Sequence, residues 1–524
     1  MKRRSLVVGA SAVAIVGAGT AVTLAPLAAE PDGEKDCGAA LPSGPYRPQA
    51  GAIQQTPPFA WKQKGGTVND ASCLSRTAVA GILAPHSEKD VAAALGYARA
   101  TGLTVAPAGV RHSMGGQAIP SGGLLLDMRG LNRIELDPAT STVTVGAGAT
   151  WHDIQKAIHP NFAVKAMQST DIFSVGGSIS VNAHGMDHQA GALRESIRSL
   201  RVMLADGQVV TASRTENAEL FNLVVGGYGL FGIVLTAQLD VVPNAIYESR
   251  RTLLPTSEVP RKLEQIIADP SIGLMYTHLS TAPGSLLDEA LIYTYHRTDD
   301  AGIERAPLGE IGSVKFRRLT VNLAKRSEAF RGFKWWAEKN LEHRFESCTV
   351  TRAQAMGDGE ACLVSRNDPM HDSVPYLRNS MKDDTDILQE YFVPRDRLIT
   401  FIDGLREIVR SRDANLLNAS IRVVGKEDNF LTYAPEPAYS VVLYFNQRTD
   451  AEGNARMSRL TSALIDLTHK QGGRFFLPYQ LYYTPGQLSD AYPQIAQFFA
   501  EKRKWDPEER FSNRWYERFG RSFG

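Results

Sequence analysis

The chain has 524 residues, enough for two or three domains of roughly 100 to 200 residues each, or for one large composite fold. Its 57 Lys+Arg against 56 Asp+Glu, with 43% hydrophobic and 22% charged residues, is the composition of an ordinary globular protein. That balance excludes a disordered chain, a collagen-like repeat and a nucleic-acid binder working through bulk positive charge.

Lys2, Arg3 and Arg4 precede an uncharged run from Ser5 to Ala29, the charged-then-apolar order of an export signal. A paired arginine before a mildly apolar, Ala/Gly/Val-rich segment resembles a twin-arginine signal, although Ser5, Leu6 and Val7 replace the usual Phe or Lys. Residues 1–29 are therefore expected to send the protein to the periplasm or the cell exterior, and to anchor it in a membrane only if retained. Cys37, Cys73, Cys348 and Cys362 permit two disulfides in three connectivities, and Cys348 and Cys362 are close enough to pair around a loop; free buried thiols fit as well. No Cys/His ligand spacing occurs, so no metal is expected.

Residues 30–65 are Pro-, Gly- and Ala-rich without period and read as a linker. Ser87 with Asp90 predicts a helix start, and Val91, Ala94, Leu95 and Ala98 carry the helix to Gly102. Strands are expected at 103–107, 124–128 and 142–148, then as a hairpin turned at Asp206-Gly207. A short helix follows at 217–225, and a strand runs to Pro243. Beyond it, alternating stretches at 291–297 and 439–447 read as strands. Helical periods fall at 323–342, 396–411 and 456–470, so 244–473 is expected to be an α+β unit.

Three glycine clusters carry the chemistry. Ala108, Gly109, Val110, Arg111, His112, Ser113, Met114, Gly115, Gly116 and Gln117 form a loop whose backbone N–H groups can approach a pyrophosphate closely. It matches neither the Rossmann fingerprint nor a P-loop. The second cluster spans Asp171 to Gly185, with Gly176, Gly177 and Ser180, and the third contains Gly232 and Ile233. Three such turns at expected strand ends look like a cradle for an extended dinucleotide.

The order PHSEKDVAAALGYARATGLTVAPAGVRHSMGG, VGGSISVNAHG, ADGQVV, NAELF and GGYGLFGIV resembles the vanillyl-alcohol oxidase, or p-cresol methylhydroxylase-type, flavoproteins. The likeness covers roughly 66–243 and returns in GGRFFLPYQLYYTPGQL and WDPEERFSNRWYERFG. Within the family it is nearest in look to the decaprenylphosphoryl-ribose oxidases, with alditol and sugar-lactone oxidases and cytokinin dehydrogenases as cousins. The resemblance implies an α+β fold: a two-subdomain FAD-binding domain at 66–243, closed by 474–524 and split around a substrate domain at 244–473. It further implies FAD bound by the first loop with Asp171, Gly176, Gly177, Ser180, Gly185, Gly232 and Ile233. His112 falls where many members attach the flavin covalently; a loop histidine beside noncovalent FAD is the other reading. Thr170 stands where some members form a second, cysteinyl bond, so double attachment is not expected.

Alcohol oxidation needs hydride transfer to the flavin and a group that accepts the hydroxyl proton. His184 lies in the segment resembling the near-flavin His-Gly, and His188 follows four residues on. Asp171 compares, across a gap, with a base of the cytokinin dehydrogenases. Arg422 falls on the substrate arginine of alditol oxidases, but their acidic partner is Ser420 here. Tyr479 replaces the lysine of the decaprenylphosphoryl-ribose oxidases, with Lys426 as a substitute or a solvated charge, and Glu390 reads equally as structural. The expected function is FAD-dependent oxidation of a CH–OH group in a sugar, polyol, lactone or related alcohol, with oxygen or a quinone-like acceptor. CH–NH oxidation, double-bond reduction and flavin retention without turnover are the alternatives.

Overall fold

The computed structural model describes residues 56–168, 170–298, 308, 314–340, 362–371 and 383–523; the expected export segment, Cys37 and Cys348 lie outside them. No helix among the described residues is long and apolar enough to cross a membrane. Cys73 is disulfide-bonded.

The first sheet is built from Gly81–Leu83 (β1), the helix Glu88–Thr101 (α1), Val105–Ala108 (β2) and Leu124–Asp127 (β3). Ser87 accepts the Asp90 N–H at 3.2 Å and Gly102 closes α1 at φ +69°, so the helix lies where its capping signals put it. β1 and β2 both pair in parallel with β3, and α1 covers them with Val91, Ala94, Leu95 and Ala98.

The second sheet contains Thr142–Gly146 (β4), Ile197–Met203 (β5), Val209–Ser213 (β6) and Ile233–Pro243 (β7) in the order β6-β5-β7-β4, ending in Ile134–Asp137. Gly207 takes φ +91° in the predicted hairpin turn. Two helices here were not expected. Trp151–Ile158 (α2) starts at a capping box of Thr150 and Asp153. The second glycine cluster, expected as a turn at a strand end, instead forms the helix Val175–Val181 (α3). A Cβ at Gly176 would stand 3.0 Å from the Ala147 methyl, so glycine lets this helix close on the end of β4.

The third sheet has eight strands in antiparallel pairs. Ile246–Pro255 (β8), Ile272–Leu279 (β9), Glu289–Arg297 (β10), Cys362–Ser365 (β11), Asp384–Pro394 (β12), Asn415–Val424 (β13), Ala438–Arg448 (β14) and Arg474–Phe475 (β15) lie in the order β11-β8-β10-β9-β13-β14-β12-β15. Helices Leu398–Ser411 and Ala451–Lys470 match the expected periods, the second starting earlier because Asp450 caps the Gly453 N–H. The single helix expected at 323–342 is two, Val314–Ala324 (α4) and Glu328–Asn340 (α5). Lys325 leaves the helical line to reach buried Asp386 at 2.5 Å, and the Ser327 carbonyl accepts the Arg331 N–H to start α5.

The C-terminal segment returns to the first sheet. Val105 N–H donates to the Arg510 carbonyl at 2.7 Å, Ser512 N–H to the Val105 carbonyl at 3.0 Å, and Met114 N–H to the Pro478 carbonyl at 2.7 Å. Helices and antiparallel and parallel sheets in one chain fit the expected α+β class.

Candidate active site

A cavity of about 1030 Å³ runs between the three sheets, at the upper limit of the roughly 300–1,000 Å³ of small-molecule sites. One wall is the loop from Ala108 to Met114 with Gln117. Gly109 is required there, because a Cβ would fall 1.8 Å from the Ser174 hydroxyl, while Arg111 bends the loop at φ +54°. Gly115 and Gly116 do not line the cavity; they tie the loop down from behind. Gly115 N–H donates to the Gln117 side chain at 2.9 Å, and Gln117 donates in turn to the carbonyls of Leu477 at 2.7 Å and Tyr479 at 3.0 Å. Gly116 N–H donates to Asp70 at 2.8 Å. Burial raises the Asp70 pKa against the bonds from Ser72, Ser75 and Gly116. Sequence reasoning missed Asp70, which lay at the edge of the expected linker without any motif.

His112 lines the cavity with its ring edge-on to Phe173 at 4.9 Å. Gly176, Gly177 and Ser180 of α3 and Gly232 also face it, whereas Asp171, Gly185, His188 and Ile233 do not line it. Asp171, expected at the cofactor or as a base, is buried and bonded to His152 Nδ1 at 2.8 Å. Gly185 is needed for backbone packing, since a Cβ would stand 1.4 Å from the Met167 carbonyl oxygen. Ile233 is fully buried in the core beneath the first sheet. His188 has no hydrogen bond to either ring nitrogen, and burial lowers its pKa, so it is an enclosed neutral ring away from the cavity. Lys426 forms an exposed pair with Glu436 at 3.0 Å.

The floor follows from strand register. Glu390 of β12 stands opposite Val442 of β14, Val442 opposite Ser420 of β13, and Ser420 opposite His278 of β9. Residues directly opposite share a face, as do those two positions along. Arg422, Ser440 and Phe392 therefore lie on the same face as Glu390, one row over. Glu390 thus stands in the same row as Ser420, two strands away.

Glu390 is the centre of this floor. Its Oε1 meets His184 Nε2 at 2.6 Å and accepts from the Ser440 hydroxyl at 2.5 Å, and its Oε2 accepts from the Tyr479 hydroxyl at 3.2 Å. Burial alone would raise its pKa, but His184, Arg422 and Ser440 together hold it below the usual carboxylate value. His184 Nδ1 and Arg422 Nε are enclosed and have no hydrogen-bond partner, an arrangement suited to a ligand that is itself polar. Phe392, Tyr433 and Phe476 surround the His184 ring at 5.4, 5.6 and 6.1 Å. The sequence carried no signal for Glu390 as the centre, because three donors from distant segments meet there only in three dimensions.

Behind Tyr433, Glu427 accepts from the Asn182 amide and from Tyr433 N–H at 2.7 Å. Burial pushes its pKa up to about 7. A carboxyl raised on folding stabilises the native state below its unfolded pKa and loses that contribution as pH rises through about 7. Glu427→Gln should therefore gain in melting temperature relative to wild type between pH 5 and pH 8. A difference that does not change with pH would refute this linkage.

Comparison with known proteins gives the loop wall its meaning: residues 79–213 match the FAD binding domain family. This chain carries an FAD-binding domain. The domain is 33% identical over 176 residues to a decaprenylphosphoryl-beta-D-ribose oxidase of Mycolicibacterium smegmatis, covering 33% of this chain and 37% of that protein. It is 31% identical over 176 residues to cytokinin dehydrogenase 2 of Arabidopsis thaliana, covering 33% and 35%. An uncharacterized oxidoreductase of the fasciation locus of Rhodococcoides fascians is 32% identical over 177 residues, covering 32% and 39%. The matched stretch is thus well under half of each relative. FAD is the cofactor. The cavity size and the glycine-bearing loop along its wall fit that group. Among the described residues no cluster could hold a metal ion.

Proposed function

We propose that the protein is an FAD-dependent oxidoreductase that oxidises a CH–OH group of a sugar, polyol, lactone or related alcohol. The observation that carries this reading is the buried Glu390 with its three donors beside Arg422, in the same cavity as the glycine loop. FAD, when bound, supplies the hydride acceptor. The chain's own task is then to remove the hydroxyl proton. With Glu390 ionised, His184 directs Nε2–H to it, and Nδ1 is left as the acceptor without a partner. The proton moves from the substrate hydroxyl to Nδ1, and Glu390 stabilises the resulting imidazolium. Arg422, half-buried with its Nε free, orients the substrate oxygen.

The CH–NH alternative would use Asp171, which is outside the cavity lining, and this favours the alcohol reading. The test is anaerobic bleaching of the bound flavin by a panel of sugars, alditols and lactones; reduction by none of them sinks the proposal. Arg422→Ala should slow reduction at least about tenfold while the visible spectrum stays intact. An unchanged rate would remove Arg422 from the site.

Covalent attachment through His112 is part of the proposal, supported by its place on the cavity wall. Acid-precipitated protein should stay yellow, and His112→Ala should release FAD to the supernatant; a colourless wild-type pellet would rule the link out. We infer further that residues 1–29 direct export to the periplasm or beyond, which the Cys73 disulfide supports because such bonds persist in oxidising compartments. Oxygen or a quinone-like acceptor would return the flavin to its oxidised state. The return of 477–514 to the glycine loop and β2 supports a two-subdomain FAD domain at 66–243, closed by 474–524 and split around 244–473.

A further inference from the structure

We propose that the end of the cavity floor farthest from Glu390, at Tyr276, His278 and Tyr295, is a subsite for a polyhydroxylated ring, the part of the substrate remote from the carbon oxidised. The inference rests on the alcohol-oxidising reading above and narrows its substrate to cyclic carbohydrates. The row Glu390-Val442-Ser420-His278 crosses three strand spacings, or about 14 Å, so a group at His278 cannot also be the one reacting beside Glu390.

Both surfaces that a sugar ring needs are present. Tyr276 stacks on Tyr293 at 4.5 Å with 15° between their planes, and the His278 ring lies 5.1 Å from Tyr276 and edge-on to Tyr293 at 5.7 Å. These mutual contacts hold the rings in place before a ligand arrives, which reduces the ordering cost of binding. Such a wall suits the C–H face of a furanose or pyranose. The polar half is His278 Nδ1, enclosed and without a partner. An aryl group would leave that nitrogen unsatisfied, and an open-chain alditol offers no flat face to the rings.

The imidazole is a neutral hydrogen-bonding group rather than a fixed charge. Burial pushes the His278 pKa down to about 4, with Lys334 and Arg422 acting in the same direction and Glu338 opposing them. Lys334 and Glu338, both on α5, are paired with each other at 2.5 Å at the cavity lining. At neutral pH His278 therefore offers one donor and one acceptor, a pair that a hydroxyl group can satisfy.

The test uses the holoenzyme and the perturbation of its visible flavin spectrum by methyl glucopyranoside, methyl ribofuranoside, myo-inositol, glucitol, ribitol and benzyl alcohol. At least one cyclic polyol should bind ten or more times tighter than both open-chain alditols and benzyl alcohol. His278→Leu and Tyr276→Leu should erase that preference while leaving the ligand-free flavin spectrum unchanged, and His278→Gln should restore part of it. Equal or tighter binding of an alditol or of benzyl alcohol overturns the subsite. So does a preference that survives in both leucine variants. Flavin reduction by alditols without any cyclic preference overturns the subsite alone, whereas a panel that neither binds nor reduces overturns the alcohol reading with it. The wild-type comparison stands even if a leucine variant does not fold.

Discussion

Replacing Glu390 by glutamine should slow anaerobic flavin reduction by about 10²- to 10⁴-fold while the protein keeps its FAD and its visible spectrum. The carboxylate accepts from Ser440 and Tyr479 and fixes the His184 tautomer through a 2.6 Å bond. Glutamine nearly preserves the volume but brings an N–H₂ group to a site where every neighbour is a donor. Its N–H₂ end must then face a donor, and the imidazole loses the charge that would stabilise its protonated form. Because His184, Arg422 and Ser440 outweigh burial, Glu390 is ionised throughout the neutral range, so the defect should persist across it. The measurement is stopped-flow reduction at saturating substrate together with the FAD content of the purified variant. A rate within a factor of three of wild type would return Glu390 to a structural role.

The second large effect is on stability. Gly185→Ala should destabilise the protein by about 3 kcal/mol or more, or prevent its folding, although the change adds a single methyl group. The new Cβ would meet the Met167 carbonyl oxygen at 1.4 Å and its carbon at 2.3 Å. Both are backbone atoms that cannot rotate away. Met186 N–H donates to that same carbonyl, so separating the two segments also costs a buried hydrogen bond. The contrasting case is Gly177→Ala, whose nearest contact is the Ser174 hydroxyl at 3.1 Å, the end of a side chain that can turn. Thermal melts of the two variants should therefore differ widely. A Gly185→Ala protein that melts like wild type would show that the backbone has room to shift.

Several elements could be read directly because their determinants are local. The Ser87 cap, the αL glycine at 102 and the Asp206-Gly207 turn all act within four residues, and each appears where the sequence put it. The loop from Ala108 to Gln117 was likewise visible as a motif. Its division of labour was not: Ala108 to Met114 face the cavity, while Gly115 and Gly116 are held from behind by Gln117 and Asp70. Nothing in the residue order distinguishes a glycine that approaches a ligand from one that lets two backbones cross, as Gly185 does. The Lys325–Asp386 pair at the break between α4 and α5 is similar, since its partners are 61 positions apart.

The sequence by itself determined the class of cofactor, because the motifs that carry the resemblance to the FAD-binding family are contiguous stretches in a fixed order. It also determined Arg422, Tyr479 and His184 as candidates that the structure brings to one cavity. Only the tertiary structure decided which acid serves them. Ser420 occupies the position where an acid was sought, and antiparallel register puts Glu390 in the same row on the same face from two strands away, which makes it the candidate. Register joins residues through hydrogen bonds between strands far apart in the chain, and side-chain identity at one position carries no record of what stands opposite.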